Sequence, residues 1–333
     1  MPISSKQNFT NPIEFLSHAV FLVKTYHNDI LLTTGTAFCY CKDNEYFLIS
    51  NYHIFAGRNP DSSSNGIRQP IHKEGAIPNK IKITIGAFLD DKNKPVFASL
   101  PAETTMDLID AAGNDLFIKY PENIHGFADI AILPISNILF KQNVFIPSNT
   151  RLPGGGPPIY NVLSIDSPMP PFCINHDIIT KIKSEIVVHP TDNIYILGFP
   201  FGDMFGSRPI WKKGSLARSI IDGDGYLLVD TATRSGMSGS PAFYIDSDHI
   251  HTLINTVTNE QYISEKAYRI EFLGIYSGRI ISGGEAKDGN GTMLIKECDA
   301  DIAAQLGKVW RKDTIDWMIN YKVKNSRVDP LNT

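Results

Sequence analysis

The chain has 333 residues, of which 42% are hydrophobic and 20% charged, and its formal net charge is −4. That length supports a sizeable core in one or two domains, and mild acidity without an extended Lys/Arg run argues against nucleic acid or an anionic membrane surface as partner. The N-terminal stretch shows no basic segment followed by an apolar core, so no secretory signal is expected, and no apolar run is long enough to span a bilayer.

From residue 19 the sequence reads as short β-rich runs: AVFLVKTY, ILLTTGTAFCYC, then EYFLISNYHIF, which ends in His53. Breaks at His27-Asn28-Asp29 and Lys42-Asp43-Asn44 make these hairpin-connected strands. Cys39 and Cys41 sit two apart on one of them, share a face and are poor disulfide partners. With only Cys173 and Cys298 besides, a reduced, cytoplasmic protein is the expectation. Residues 59–80 are rich in Ser, Asn, Pro and Gly and predict an exposed, mobile loop beside His53. Strand character resumes at IKITIGAF and again at FADIAILP, where Asp129 precedes Ile130, Ile132 and Leu133, all expected in the core.

Residues 149–171 contain GGGPP and PMPP, and predict a linker between a unit of residues 1–148 and a second of residues 172–333. The second unit offers strands at KIKSEIVV, NIYILGFPFG, PIWKKGSLARS and YLLVDTA before the run TATRSGMSGSPAF, which sets Ser238 between Gly and Gly on a turn. EFLGIYSGR is a further strand. Residues 299–324 carry a helical pattern in which Ile315, Met318 and Ile319 share a face and Asp313 or Thr314 can cap.

A serine hydroxyl becomes a useful nucleophile only when a base takes its proton and N–H groups await the developing oxyanion. Gly236, two residues before Ser238, lets the backbone turn until the amides of Gly236 and Ser238 converge. Taken singly the signals are weak: Gly-x-Ser-Gly is a common turn, one of nine histidines is more often structural, and an Asp before an apolar run is more often a strand-end cap. Together and in the order His53, Asp129, Ser238, each in its local context, they resemble the trypsin-like (chymotrypsin-fold) serine proteases. Gly35-Thr36-Ala37-Phe38 and the turn Gly198-Phe199-Pro200-Phe201-Gly202 look like bacterial HtrA-like and glutamyl endopeptidase relatives.

The resemblance covers most of the chain. It implies an all-β fold of two six-stranded antiparallel β-barrels with a C-terminal helix, the first carrying His53 and Asp129 and the second Ser238. It implies a serine endopeptidase working through an acyl-enzyme, with an oxyanion hole of Gly236 and Ser238 amides, no metal and no cofactor. For substrate binding it points to Ala232 and Thr233, and to Tyr276, Ser277, Gly278 and Arg279 on the strand that pairs with an extended protein or peptide substrate. Ala232 at the pocket base disfavours cleavage after Lys or Arg. Thr233 and Ser240 match the glutamyl endopeptidases, yet Tyr276 stands where those carry a histidine; Arg279 either supplies a positive charge or is a solvated rim residue. Met237 replaces the aspartate that receives a new N-terminus in secreted members, so the expectation is control by a regulatory partner or by loop ordering, or a narrow substrate range without a switch. A silent peptide-binding module and an esterase-type hydrolase are the alternatives.

Overall fold

The first strands are two-faced, which follows from their unbroken apolar composition. In this computed structural model, which describes residues 12–64, 67–89, 95–121, 127–136, 138, 140–147, 160–167, 173–175, 188–219, 225–246, 252–254, 261–263, 269–279 and 306–326, they are β1 (Val20–His27), β2 (Ile30–Lys42) and β3 (Glu45–Ser50). Ala37, Cys39, Leu48, Phe21 and Val23 face one core, whereas Phe38, Tyr40, Ile49 and Leu22 face a second core shared with the other half of the molecule. Continuing along the chain are β4 (Arg58–Ser64), β5 (Ile67–Pro70), β6 (Lys80–Leu89), β7 (Pro95–Asp107), β8 (Ile118–Lys119), β9 (Ala131–Pro134), β10 (Phe140–Pro147), β11 (Tyr160–Ser167) and β12 (Ile174–Asn175). The first sheet runs β7-β6-β1-β2-β3-β9-β8, with β12 added in parallel to β2. The expected all-β architecture of two barrel-like halves and a C-terminal helix is present, with this half, among the described residues, a seven-strand half-barrel in place of a closed six-stranded barrel. Ile130, Ile132 and Leu133 are buried, as their pattern requires.

Two stretches differ from the sequence reading. The polar stretch 59–80 begins inside a hairpin, β4 against β5, with the Arg68 guanidinium 3.9 Å from the centre of the Phe127 ring and 5.4 Å from that of Tyr52. A cation over aromatic faces steadies a segment that composition alone marks as mobile. Within residues 149–171, β11 pairs along its length with β10, because the alternating Tyr160–Ser167 run lies between the proline clusters.

The second half is a closed barrel, β13-β14-β15-β20-β19-β16. Its strands are β13 (Asn193–Gly198), β14 (Ile210–Leu216), β15 (Tyr226–Asp230), β16 (Pro241–Asp246), β19 (Arg269–Arg279) and β20 (Leu306–Arg311), while β17 (Thr252–Ile254) and β18 (Gln261–Ile263) form a separate hairpin. The segment read as one helical pattern divides here: Leu306–Arg311 is the strand that closes the barrel, and the helix is Lys312–Ser326. Ile315, Met318 and Ile319 do share its buried face. That face enters the core between the two halves, and Tyr40 and Lys42 of the first sheet bond Asp316 at 3.1 and 3.0 Å. The helix therefore straps both halves together. Of the predicted strand KIKSEIVV, only Val188 lies among the described residues.

An N-terminal helix, Pro12–His18, lies on the same seam, with Leu16 in the shared core and Ser17 Oγ accepting from Trp211 Nε1 at 3.1 Å. Its His18 is 2% exposed. Burial, and then the Arg208 charge, hold the imidazole down from 6.5 to about 4. Between these values the unfolded chain binds a proton that the folded chain refuses, so stability falls as pH drops from 6.5 towards 4. The loss expected over that window is about 3 kcal/mol. Urea unfolding at pH 7.5 and 4.5 measures it; an equal loss in His18→Leu would show that the slope has another source.

Candidate active site

His53 follows directly from β3, in a five-residue helix, Tyr52–Ala56, whose C-cap Gly57 returns its N–H to the His53 carbonyl. Asn51, at the N-cap position, makes no side-chain cap. Its Nδ2 donates instead to the Asp129 carbonyl at 2.7 Å. That bond, with the β3–β9 ladder, sets the Asp129 turn against the His53 turn. The carboxylate accepts from the His53 backbone N–H at 3.0 Å, lies 2.7 Å from His53 Nδ1, and accepts from the Ser277 hydroxyl on β19. Burial opposes its ionisation, but the His53 charge and these hydrogen bonds outweigh burial and hold the Asp129 carboxyl below its ordinary value. An ionised carboxylate only accepts, so Nδ1 carries the proton of the neutral imidazole and Nε2 is left as an acceptor. The His53 side chain is 18% exposed and that of Asp129 3%, which leaves the imidazole reachable and the carboxylate sealed.

The Ser238 loop belongs to the barrel but is clamped by the first sheet, chiefly through Thr36 of β2. The Thr36 N–H donates to the Ser238 carbonyl at 2.8 Å, and the Thr36 hydroxyl donates to the Gly236 carbonyl at 2.8 Å while accepting from the Phe199 N–H at 3.1 Å. Ser50 Oγ in turn donates to the Thr36 carbonyl at 2.8 Å. Gly236 has φ +92°, a left-handed conformation that suits glycine. Met237 packs in the barrel core, so the residue before Ser238 is pinned by apolar contacts. Among the described residues, no acceptor takes the N–H of Gly236 or of Ser238. The Ser238 hydroxyl likewise makes no hydrogen bond to His53 among these contacts; such bonds are commonly long without substrate and tighten in the complex.

The remaining predicted residues divide. Ser277, expected to contribute backbone groups only, also gives its hydroxyl to Asp129. Gly278 and Arg279 are laddered to β20 on one edge, with Ser277 in the bulge before them, while β16 pairs only with residues up to Ile275. The opposite edge of those three residues is therefore open among the described residues, a place for an extended peptide to add. Thr233 and Tyr276 meet hydroxyl to hydroxyl. Ser240 is buried under Gly198, where any side chain would overlap Ser240 Oγ. Ala232 is half-buried beside Thr233, and the Arg279 side chain and Cys298 lie outside the described residues. Sequence reasoning assigned no role to Ser50 or Asn51 and took Thr36 only as part of the Gly35-Thr36-Ala37-Phe38 step; the signal of Ser50 and Asn51 is only that polar residues stand at the end of an otherwise apolar strand.

Compared by sequence, the chain matches no protein-family model and no curated protein. Compared by structure, it is similar to the Rv3671c protease of M. tuberculosis in an inactive form carrying a Ser-to-Ala substitution, at 13% identity over 97% of this chain and 94% of that one, TM-score 0.41. The active form of the same protease gives 12% identity over 93% and 84%, TM-score 0.39. The serine endoprotease from Yersinia pestis gives 11% identity over 94% and 66%, TM-score 0.43.

Proposed function

We propose that this protein is a serine endopeptidase that hydrolyses peptide bonds through Ser238, His53 and Asp129. The observation that carries the reading is the Asp129 carboxylate, ionised and bonded to His53 Nδ1 at 2.7 Å, at the seam where Thr36 holds the Ser238 loop. In this reaction Ser238 Oγ bonds to the substrate carbonyl carbon as its proton passes to His53 Nε2. The Gly236 and Ser238 amides take the oxyanion, the C–N bond breaks, and the leaving amine receives the proton from His53. Water then repeats the sequence on the acyl-enzyme, with His53 again the base. The open edge at Ser277 to Arg279 favours an extended peptide over a small ester, because backbone pairing needs a chain to pair with.

A fluorophosphonate probe tests the reading without knowledge of the substrate. Mass spectrometry of the labelled full-length protein should find the adduct on Ser238 and none in Ser238→Ala; labelling elsewhere, or none at all, would remove Ser238 as the nucleophile.

A further inference from the structure

We infer that Tyr276 fills the recess beside Ser238 that would take the side chain of the acylating residue, so that cleavage follows small residues: glycine, alanine or serine. This rests on Ser238 being the nucleophile. The side chain of a residue whose carbonyl carbon is bonded to Ser238 Oγ must lie in the space flanking that atom. Three backbone stretches lie about Ser238: residues 231–237, which lead into it, the end of β19, whose Gly278 stands next to Ser238 Oγ, and the start of β20, which pairs with that end. Tyr276, on β19, is anchored to the Ser238 loop, its N–H donating to the Ser240 carbonyl at 2.8 Å and its carbonyl accepting from the Gly239 N–H at 2.9 Å.

From that anchor the ring crosses the whole gap. Its hydroxyl pairs with Thr233 Oγ1 on one wall, and its edge lies so close to Gly307 on the other that any side chain there would overlap ring atoms. An open recess leaves its lining accessible to water, but Tyr276 and Thr233 are each 1% exposed. Beside them Ala232, Ser277 and Gly278 are half-buried, and a Cβ built on Gly278 would stand 3.7 Å from Ser238 Oγ. The depth available beneath the nucleophile therefore ends at the phenol ring. The ring cannot swing aside cheaply, because doing so strands two buried hydroxyls. The same pairing engages the Thr233 hydroxyl within the protein, so it does not serve as a receptor for an acidic side chain.

Peptidyl diphenyl phosphonates differing only in the side chain next to phosphorus, with Ala, Phe, Lys or Glu in that place, test this on the full-length protein. The Ala probe should phosphonylate Ser238 about 100-fold faster than the Phe, Lys or Glu probes, the discrimination expected of a pocket that lacks room for several methylenes. In Tyr276→Ala the Ala-to-Phe ratio should fall at least about tenfold, and in Tyr276→Phe it should stay near the wild-type value. A wild-type ratio within about tenfold of unity, or an unchanged ratio in folded Tyr276→Ala, overturns the proposal while leaving the hydrolase reading in place. If Tyr276→Ala does not fold, the wild-type ratios decide alone. Failure of the fluorophosphonate, which has no such side chain, to label Ser238 overturns the hydrolase reading and this proposal with it.

Discussion

Ser238→Ala should lower peptide turnover about 10⁶-fold, the loss expected when the nucleophile of a cooperating triad is removed. Asp129→Asn should cost about 10⁴-fold. The reason is the hydrogen-bond inventory at that carboxylate, which accepts from His53 N, His53 Nδ1 and Ser277 Oγ. An amide has one acceptor and one donor end, so it either loses an acceptor for Nδ1–H or turns the imidazole into the tautomer with Nε2 protonated. That tautomer cannot accept the Ser238 proton. Since the folded-state value of Asp129 lies below the ordinary carboxylate value, its contribution to stability is full above the unfolded value and disappears as pH falls through the folded one. Wild type should therefore keep the pair intact through the usual carboxylate range. Turnover on a casein or peptide-library substrate, with circular dichroism to show both variants folded, measures these effects; wild-type activity in Asp129→Asn would move the role to another carboxylate.

Gly239→Ala should be severely damaging although it touches no reacting group. Gly239 has φ +89°, and a Cβ there would overlap the Thr36 carbonyl oxygen and crowd Ser50 Oγ at 2.6 Å. Both neighbours belong to the first sheet, so relief requires the two halves to separate at the candidate site. A loss of about 3 kcal/mol or more is expected, from strain at positive φ together with overpacking, and fluorophosphonate labelling of Ser238 should nearly cease. Thr36→Val is the matched comparison, since it keeps shape and removes only the hydroxyl that bridges Gly236 O and Phe199 N. It should cost about 1–3 kcal/mol and slow labelling less. Urea unfolding of the two variants beside wild type checks the order; Gly239→Ala with wild-type stability and labelling would mean that the joint is not rigid.

The comparison of residues with positions shows where sequence reasoning reaches. The β-rich apolar runs at residues 37–40 and 47–49 identified these segments as strands, and the helical spacing of Ile315, Met318 and Ile319 identified a buried face. The local contexts of His53, Asp129 and Ser238 identified the candidate site, because turn chemistry around each is written within a few residues. The closing strand Leu306–Arg311 was hidden inside a helical pattern, since its state is imposed by β15 and β19 on either side. The hairpin at Arg58–Ser64 was hidden in polar composition, since part of its order comes from Arg68 stacking on rings of other segments.

By itself, then, the amino-acid order determined which residues are candidates for the chemistry and which segments are apolar, because periodicity and turn residues act through neighbours in the chain. Only the tertiary structure decided that Ser277 bonds to Asp129 across 148 residues and that the Thr36 hydroxyl meets Gly236 across 200. It alone decided that the Tyr276 ring occupies the space between Thr233 and Gly307. Such contacts depend on how the half-barrel and the barrel pack against each other, to within a fraction of an ångström in hydrogen-bond length and overlap, and local pattern carries no record of that distance.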